Sequence, residues 1–318
     1  MINSRQVQEP PLDPEASREW SLPFADRQNG QRAMWWSVSP DGDLSVLLVH
    51  QRYLTQSPYI KGWVGWHPQL PFDATLVTTS GTFSRCTPLS DIRIWPSQLA
   101  LLPGSRLLLV GALQNREGEK RRPGAVSYSA AGEPEHTFCI GRDTPALTTD
   151  RSGRIWIAYG DEGIFGNHPW SVSEGMAGWD TKGHHVWNPA GRLPHGVLNG
   201  CTAATEGEHV WLVYYSGTHL GGTVLTRITP STGEVTSYSS PIDQPDGFAV
   251  RGRDAVMTVR DHNQPSVKLI RTELDNTTWT ITNQREMRVP GRVVLRCGQG
   301  RDGSLWLRAG DTWLRIDA

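Results

Sequence analysis

Two adjacent carboxylates, Asp161 and Glu162, follow directly on a short apolar run at 155–159 and are framed by Gly160, Gly163 and Gly166. Neighbouring residues on an extended chain point apart, so one acid can face inward while the other faces solvent. An inward carboxylate could act as a general base. It could equally hold one divalent cation (Ca²⁺, Mg²⁺, Mn²⁺ or Zn²⁺) together with Asn167 or His168. The same pair could instead cap a turn by accepting backbone N–H groups. Trp170 and Trp179, further along the stretch, could floor a ligand pocket or pack the stretch onto the strands beneath it. His184 and His185 are neighbours and face opposite sides, which makes them a weak metal pair.

A second polar group follows at Arg260, Asp261, His262 and Asn263, and a third at His219. Each by itself also reads as a solvated loop. Together with the first group they give candidate catalytic residues at Asp161, Glu162 and His262. The candidate ligand-binding residues are Asn167, His168, Trp170, Trp179, His219 and Arg260. No nucleophile elbow, phosphate-binding glycine loop or zinc-protease helix stands in its required context.

These groups need a scaffold, and the chain supplies a repeating one. Gly 33, Pro 22 and Trp 14 describe a turn-rich and aromatic-rich protein rather than a helical one. Six times a glycine turn precedes a short apolar run, at Gly42, Gly104, Gly153, Gly207, Gly252 and Gly303. The runs are 44–49, 106–110, 154–159, 209–214, 254–259 and 305–308, spaced by roughly 45 to 60 residues, the period of four-stranded propeller blades. Third strands are expected at 63–66, 125–128, 185–187, 224–228, 267–270 and 313–316. Fourth strands are expected at 74–78, 136–140, 234–238 and 279–282. The sixth repeat stops one strand short, and the piece around Trp20 can pair beside Trp313 to cover that edge. The fold expected is an all-β, six-bladed β-propeller closed by an N-terminal strand. Residues 1–15 are expected to be a loosely ordered segment and 16–318 a single propeller domain. A two-sheet sandwich does not explain six evenly spaced glycine-turn strands.

In such a ring, the loops between second and third strands share one face with the connections between blades. That face would carry 51–61, 113–123, 160–183, 216–222 and 260–266, with the junctions 198–200 and 245–247. The loop 160–183 is the longest, and long loops inside compact domains tend to be functional.

Composition excludes some partners. Charged residues make up 20% and the net charge is −1, which argues against nucleic acid or an anionic membrane surface. Cys86, Cys139, Cys201 and Cys297 are far apart, so neither a zinc knuckle nor a disulfide framework is indicated. The start of the chain lacks the apolar core of a signal peptide, and no run reaches the length of a membrane span. A cytoplasmic location is the expectation.

The segment from Leu198 and Asn199 through the strand at 210–215, and then Pro245, Asp246 and Gly247, resembles consecutive blades of gluconolactonase-like six-bladed propellers. That resemblance implies a divalent metal on the axis, lactone or ester hydrolysis, and Asn199 as a metal ligand beside Asp161 and Glu162. It departs from the family where Tyr215 and Ser216 replace the expected catalytic aspartate. The run 150–159 resembles the repeated D-x-x-G-x-I-W strand of virginiamycin B lyase-type and NHL-type propellers. The stretch 156–167 is most similar to uncharacterised bacterial propeller proteins. The functional expectation is small-molecule binding or processing on the loop-rich face, as a metal-assisted hydrolase or a lyase. The alternatives are a non-catalytic module that grips a partner protein, and a long loop that only plugs the channel.

Overall fold

Short apolar runs broken by glycine turns cannot bury both faces alone, so they must stack as sheets against neighbouring sheets. The computed structural model describes residues 12–58, 63–113, 122–166, 172–294 and 298–318. It is nearly all-β. The chain enters through β1 (Ala16–Ser21) and a single-turn helix α1 (Phe24–Gln28). The first sheet has β2 (Gln31–Val38) and β3 (Leu44–His50), and then a two-stranded ribbon of β4 (Leu54–Gln56) and β5 (Trp66–Pro68) interrupts it. It resumes with β6 (Phe72–Ser80) and β7 (Phe83–Ile92), in the spatial order β2-β3-β6-β7.

The second sheet holds β8 (Ile94–Leu102), β9 (Arg106–Leu113), β10 (Arg122–Tyr128) and β11 (Pro134–Phe138). The third holds β12 (Ala146–Thr149), β13 (Ile155–Ala158), β14 (Met176–Trp179) and β15 (His185–Trp187), with helix α2 (Asp161–Phe165) between β13 and β14. Next come β16 (Asn199–Glu206), β17 (His209–Tyr215), β18 (Thr223–Thr229) and β19 (Glu234–Ser239). A further sheet follows with β20 (Gly247–Arg251), β21 (Asp254–Arg260), β22 (Ser266–Asp275) and β23 (Thr278–Arg288). The chain ends with β24 (Gly298–Arg301), β25 (Ser304–Ala309) and β26 (Thr312–Asp317), and β1 pairs antiparallel beside β26. Two residues of β16 lie parallel to β24, Ala204 opposite Gly300 and Thr205 opposite Arg301, joining those two antiparallel groups into one eight-stranded sheet.

All six glycine-turn runs are strands: β3, β9, β13, β17, β21 and β25. Two sheets differ from the sequence expectation. In the first, the 63–66 run is not the third strand. Residues 63–65 form a 3-10 turn that leads into β5, the second strand of the ribbon, and the 74–78 run lies in β6, the third strand instead of the fourth. In the third, His185–Trp187 is the fourth strand, and Met176–Trp179 supplies the third. That strand contains Gly178 and no β-branched residue, so its pattern reads as loop. A Cβ on Gly178 would lie 3.1 Å from both Trp156 and Trp187, whose rings meet at 5.3 Å, a tight fit that favours glycine.

The inner strands pack on one another in chain order, and Arg301 of β24 ties several of them together. Its guanidinium donates to the Val38 carbonyl on β2 at 2.9 Å, to the Thr149 carbonyl on β12 at 2.7 Å and to Thr205 Oγ1 on β16 at 3.3 Å. Thr149 passes the link to β8 by donating to the Leu101 carbonyl at 2.8 Å. Burial brings the Arg301 pKa down to about 10, so it stays a cation at neutral pH. Two neighbours fasten the end of the chain to its beginning. Gln299 accepts from the Val38 N–H at 3.1 Å. Arg308 donates to the carbonyls of Ala33 and Met34 at 2.8 and 2.7 Å, and lies over the Trp313 ring at 4.8 Å. Trp20 of β1 adds a ring against Trp313 at 5.2 Å.

Ahead of β1, the described chain is clamped by charge. Arg285 donates to Asp13 at 2.7 Å, and Arg271 donates to Glu15 at 2.7 Å. The Arg285 and Arg271 hydrogen bonds hold the Asp13 and Glu15 carboxyls below the usual carboxylate range.

Replacing Arg301 by Met orphans buried acceptors that cost about 1–3 kcal/mol each. A loss of at least about 3 kcal/mol in urea unfolding is expected, and Arg301→Lys recovers little because an ammonium cannot fork to separate carbonyls. The carboxylates Asp13 and Glu15 have depressed folded values. Their stabilisation is therefore complete above the ordinary carboxylate range and disappears as pH falls through the folded values. The urea midpoint should drop between pH 6 and pH 3, and Arg285→Met should flatten that drop.

Candidate functional site

The turn that opens the third sheet explains why the acids sit where they do. Asp150 Oδ1 accepts from the backbone N–H groups of Ser152 and Arg154 at 2.9 and 3.0 Å, and its Oδ2 accepts from Trp156 Nε1 at 2.9 Å. Gly153 at φ +87° completes the turn, a conformation that side chains other than glycine resist. One carboxylate thus fixes both the turn and the indole of the strand that follows. β13 is thereby committed, and the chain leaves it at Gly160 directly into α2.

Asp161 and Glu162 are the first residues of α2, not the last of an extended strand. Asp161 Oδ1 accepts from the Glu162 backbone N–H at 2.8 Å, while the helix N-cap is Gly160, which has no side chain to cap with. Glu162 is bridged by Arg142 at 2.7 Å. Glycine is needed on the inner side of this helix. A Cβ on Gly163 would lie 2.3 Å from the Arg142 carbonyl oxygen, and one on Gly160 would lie 2.0 Å from the Asp143 carboxylate. The helix is therefore docked tightly on the 141–145 connection that leads into β12.

Together these segments border a cavity of about 1210 Å³ at the N-terminal ends of β8, β12 and β16. Its wall takes Trp95, Ser97 and Gln98 from β8, then Arg142 and Asp143, and then Asp161, Glu162 and Phe165. Leu198, Asn199 and Tyr215 complete the side under β16 and β17, and Arg122 begins β10 nearby. Two bulges fall at this wall, between Pro96 and Gln98 and between Gly200 and Thr202. Bulges of this kind re-aim side chains beside a site.

The structure brings together Asp161, Glu162 and Asn199 from the sequence-derived set. It sets the others apart. Arg260 and His262 border a separate, shallower depression of about 570 Å³. Arg260 there is committed to the buried Asp246, which it reaches through both its guanidinium and its backbone N–H. Trp179 lies in β14 and donates to the Tyr159 hydroxyl at 2.9 Å, with its ring 5.0 Å from that of His185. His219 is exposed in the short turn Thr218–Leu220. Asn167, His168 and Trp170 lie outside the described residues. The sequence reading missed Trp95, Arg142, Asp143, Phe165 and Tyr215. The one available cue was position, since Arg142 and Asp143 follow a glycine at a junction between repeats.

Among the described residues, no three His, Cys, Asp or Glu side chains group as metal ligands, and Glu162 is already engaged by Arg142. Among the same residues, no helix is long and apolar enough to cross a membrane.

No protein-family model matches the chain, and no curated protein matches it. Solved structures do. A candidate oxidoreductase (glucose dehydrogenase) from Thermus thermophilus covers 95% of this chain and 99% of its own, at 13% identity and a TM-score of 0.54. A protein of unknown function from Dyadobacter fermentans covers 96% and 100%, at 10% identity and 0.48. A candidate gluconolactonase covers 95% and 91%, at 11% identity and 0.44. The first of these carries a propeller-like all-β fold, and at this identity it carries nothing about activity.

The Arg142–Glu162 bridge is exposed enough for solvent to screen it, with 40% and 65% of the two side chains accessible. A double-mutant cycle with Arg142→Gln and Glu162→Gln, read by urea unfolding, should give a coupling below about 1 kcal/mol.

Proposed function

We propose that the chain is a six-bladed propeller closed by β1, and that it binds a small molecule in the cavity at the ends of β8, β12 and β16. The closure is supported by the β1–β26 pairing and by the Gln299 and Arg308 bonds to β2. The binding reading rests on one observation. Two sheets, and the connection and helix α2 of the sheet between them, contribute polar and aromatic side chains to a single cavity of about 1210 Å³, the mixture that ligand pockets show. The catalytic form of the reading is hydrolysis of an ester or lactone, or an elimination, with Asp161 as general base. It needs no metal from the described residues.

A second reading is a grip on a partner protein. Phe24, Phe165 and Leu220 are 69%, 63% and 51% exposed on connections between strands, and they are the side chains such a grip would use.

Thermal-shift screening with lactones, carboxylic esters, aromatic alcohols and amines tests the first reading. Hits are expected whose stabilisation falls at least tenfold in apparent affinity on Asn199→Ala or Asp161→Asn. Hits unaffected by both substitutions would place the ligand elsewhere. Adding Ca²⁺, Mg²⁺, Mn²⁺ or Zn²⁺ should leave the melting midpoint unchanged.

A further inference from the structure

The class of ligand follows from which hydrogen-bonding groups of the cavity are already spent, and it rests on the small-molecule reading of that cavity. Four neutral donors of the wall are turned to the protein itself. Trp95 Nε1 donates to the Pro68 carbonyl at 3.0 Å, and Ser97 Oγ donates to the Val110 carbonyl at 3.2 Å. Gln98 Nε2 donates to the Pro145 carbonyl at 3.3 Å, and the Tyr215 hydroxyl shares a 2.7 Å bond with Thr218 Oγ1. Trp95 and Tyr215 therefore border the cavity with their polar atoms already engaged, so their rings offer it carbon.

The acceptors are less committed. Asp161 forms no ion pair among the described residues, and only its Oδ1 is used, by the Glu162 N–H. Asp161 and Phe165 are four residues apart on α2, so they share one helix face, and both border the cavity. Phe165 is 63% exposed, an uncovered ring one turn from an unpaired carboxylate. Among the described residues, the charged groups of the wall are two cations, Arg122 and Arg142, against three acids, Asp143, Asp161 and Glu162. The balance is one negative charge. An anion would have to use Arg122 at the start of β10 or draw Arg142 away from Glu162, whereas a cation meets Asp161, on one helix face with Phe165, with no ion pair to displace among the described residues.

We infer that this cavity takes a substituted ammonium ion carrying an apolar, aromatic-sized group. The ammonium sits on Asp161, and the apolar group lies among Phe165, Trp95 and Tyr215. A cation beside aromatic faces gains further from the ring quadrupoles. Desolvating the ammonium is offset because it keeps an ionic hydrogen-bond acceptor.

Three isosteric probes separate charge from shape: 2-phenylethylammonium, 2-phenylethanol and phenylacetate, titrated by ligand-observed NMR and calorimetry at pH 7. The ammonium should bind at least tenfold more tightly than the alcohol, and phenylacetate should bind weakest. Asp161→Asn, which keeps the side chain's shape, should erase the preference for ammonium over alcohol. Phe165→Ala should weaken both probes, the ammonium at least as much as the alcohol because it also loses the ring quadrupole, and unchanged urea midpoints show that the variants are folded. Equal binding of ammonium and alcohol overturns the inference, as does an ammonium preference that survives Asp161→Asn. Tighter binding of phenylacetate also overturns it, while leaving the cavity as a binding site. Silence from all three probes, with lactone or ester hits still sensitive to Asn199→Ala, overturns the cation assignment alone. Silence in both screens removes the cavity reading as well.

Discussion

One guanidinium holds the centre of this fold. Arg301 is buried and, among the described residues, makes no direct bridge to a carboxylate. Its charge is dispersed over carbonyls and hydroxyls at the C-terminal ends of β2, β12 and β16. A lone buried cation is costly, and only a full set of oriented acceptors offsets the lost hydration. Because those acceptors belong to separate strands, the arrangement is worthwhile only when all are in place at once. The same dependence couples the first sheet to the last, where Gln299 and Arg308 act beside it. Arg301 serves these strands better than a lysine would, since its planar fork can address several carbonyls without rotating.

The position of the cavity follows from how unevenly the inner strands pack. On one side they are pressed together. A Cβ on Gly298 would lie 2.5 Å from the Gly247 Cα, and one on Gly300 would lie 2.1 Å from the Phe248 carbonyl oxygen. Backbone meets backbone there, so no side chain and no ligand can enter. On the other side β8, β12 and β16 begin with long or bulged lead-ins, and their side chains stand off from one another. The open volume is left at the N-terminal ends of β8, β12 and β16. α2 projects its acids into that volume.

What the sequence disclosed and what it hid divide along physical lines. Turn glycines followed by β-branched and aromatic runs were readable because their periodicity is local, and all six became second strands of their groups. The edge strand around Trp20 was readable because a missing partner must be supplied from somewhere. Met176–Trp179 was hidden because two tryptophans from other strands, not its own propensity, make it a strand. The β4–β5 ribbon was hidden because an insertion carries its own apolar residues and imitates the strand it displaces. At the site, the adjacent acids announced themselves through glycine framing. Their orientation did not, since a single helical turn replaced the extended chain that the alternation argument assumed. Arg142, Asp143 and Tyr215 have no motif at all. They enter the cavity only because a connection and two strand ends converge in space.

That convergence makes the acids unequal. Adjacent in sequence, Asp161 and Glu162 differ in everything that controls chemistry. Glu162 is matched by Arg142, and its charge is locally cancelled. Asp161 has one oxygen on a backbone N–H and no cation among the described residues. A carboxylate left unmatched beside an uncovered phenyl ring is a poor way to stabilise a fold. Each group would gain from a partner that the described chain does not supply, and a single helical turn presents the two to the same space. Matching by Arg142 then has a second consequence. It makes Glu162 the weaker of the two adjacent acids as a seat for an incoming cation. Specificity in such a site comes less from the number of polar groups than from how few are left unspent.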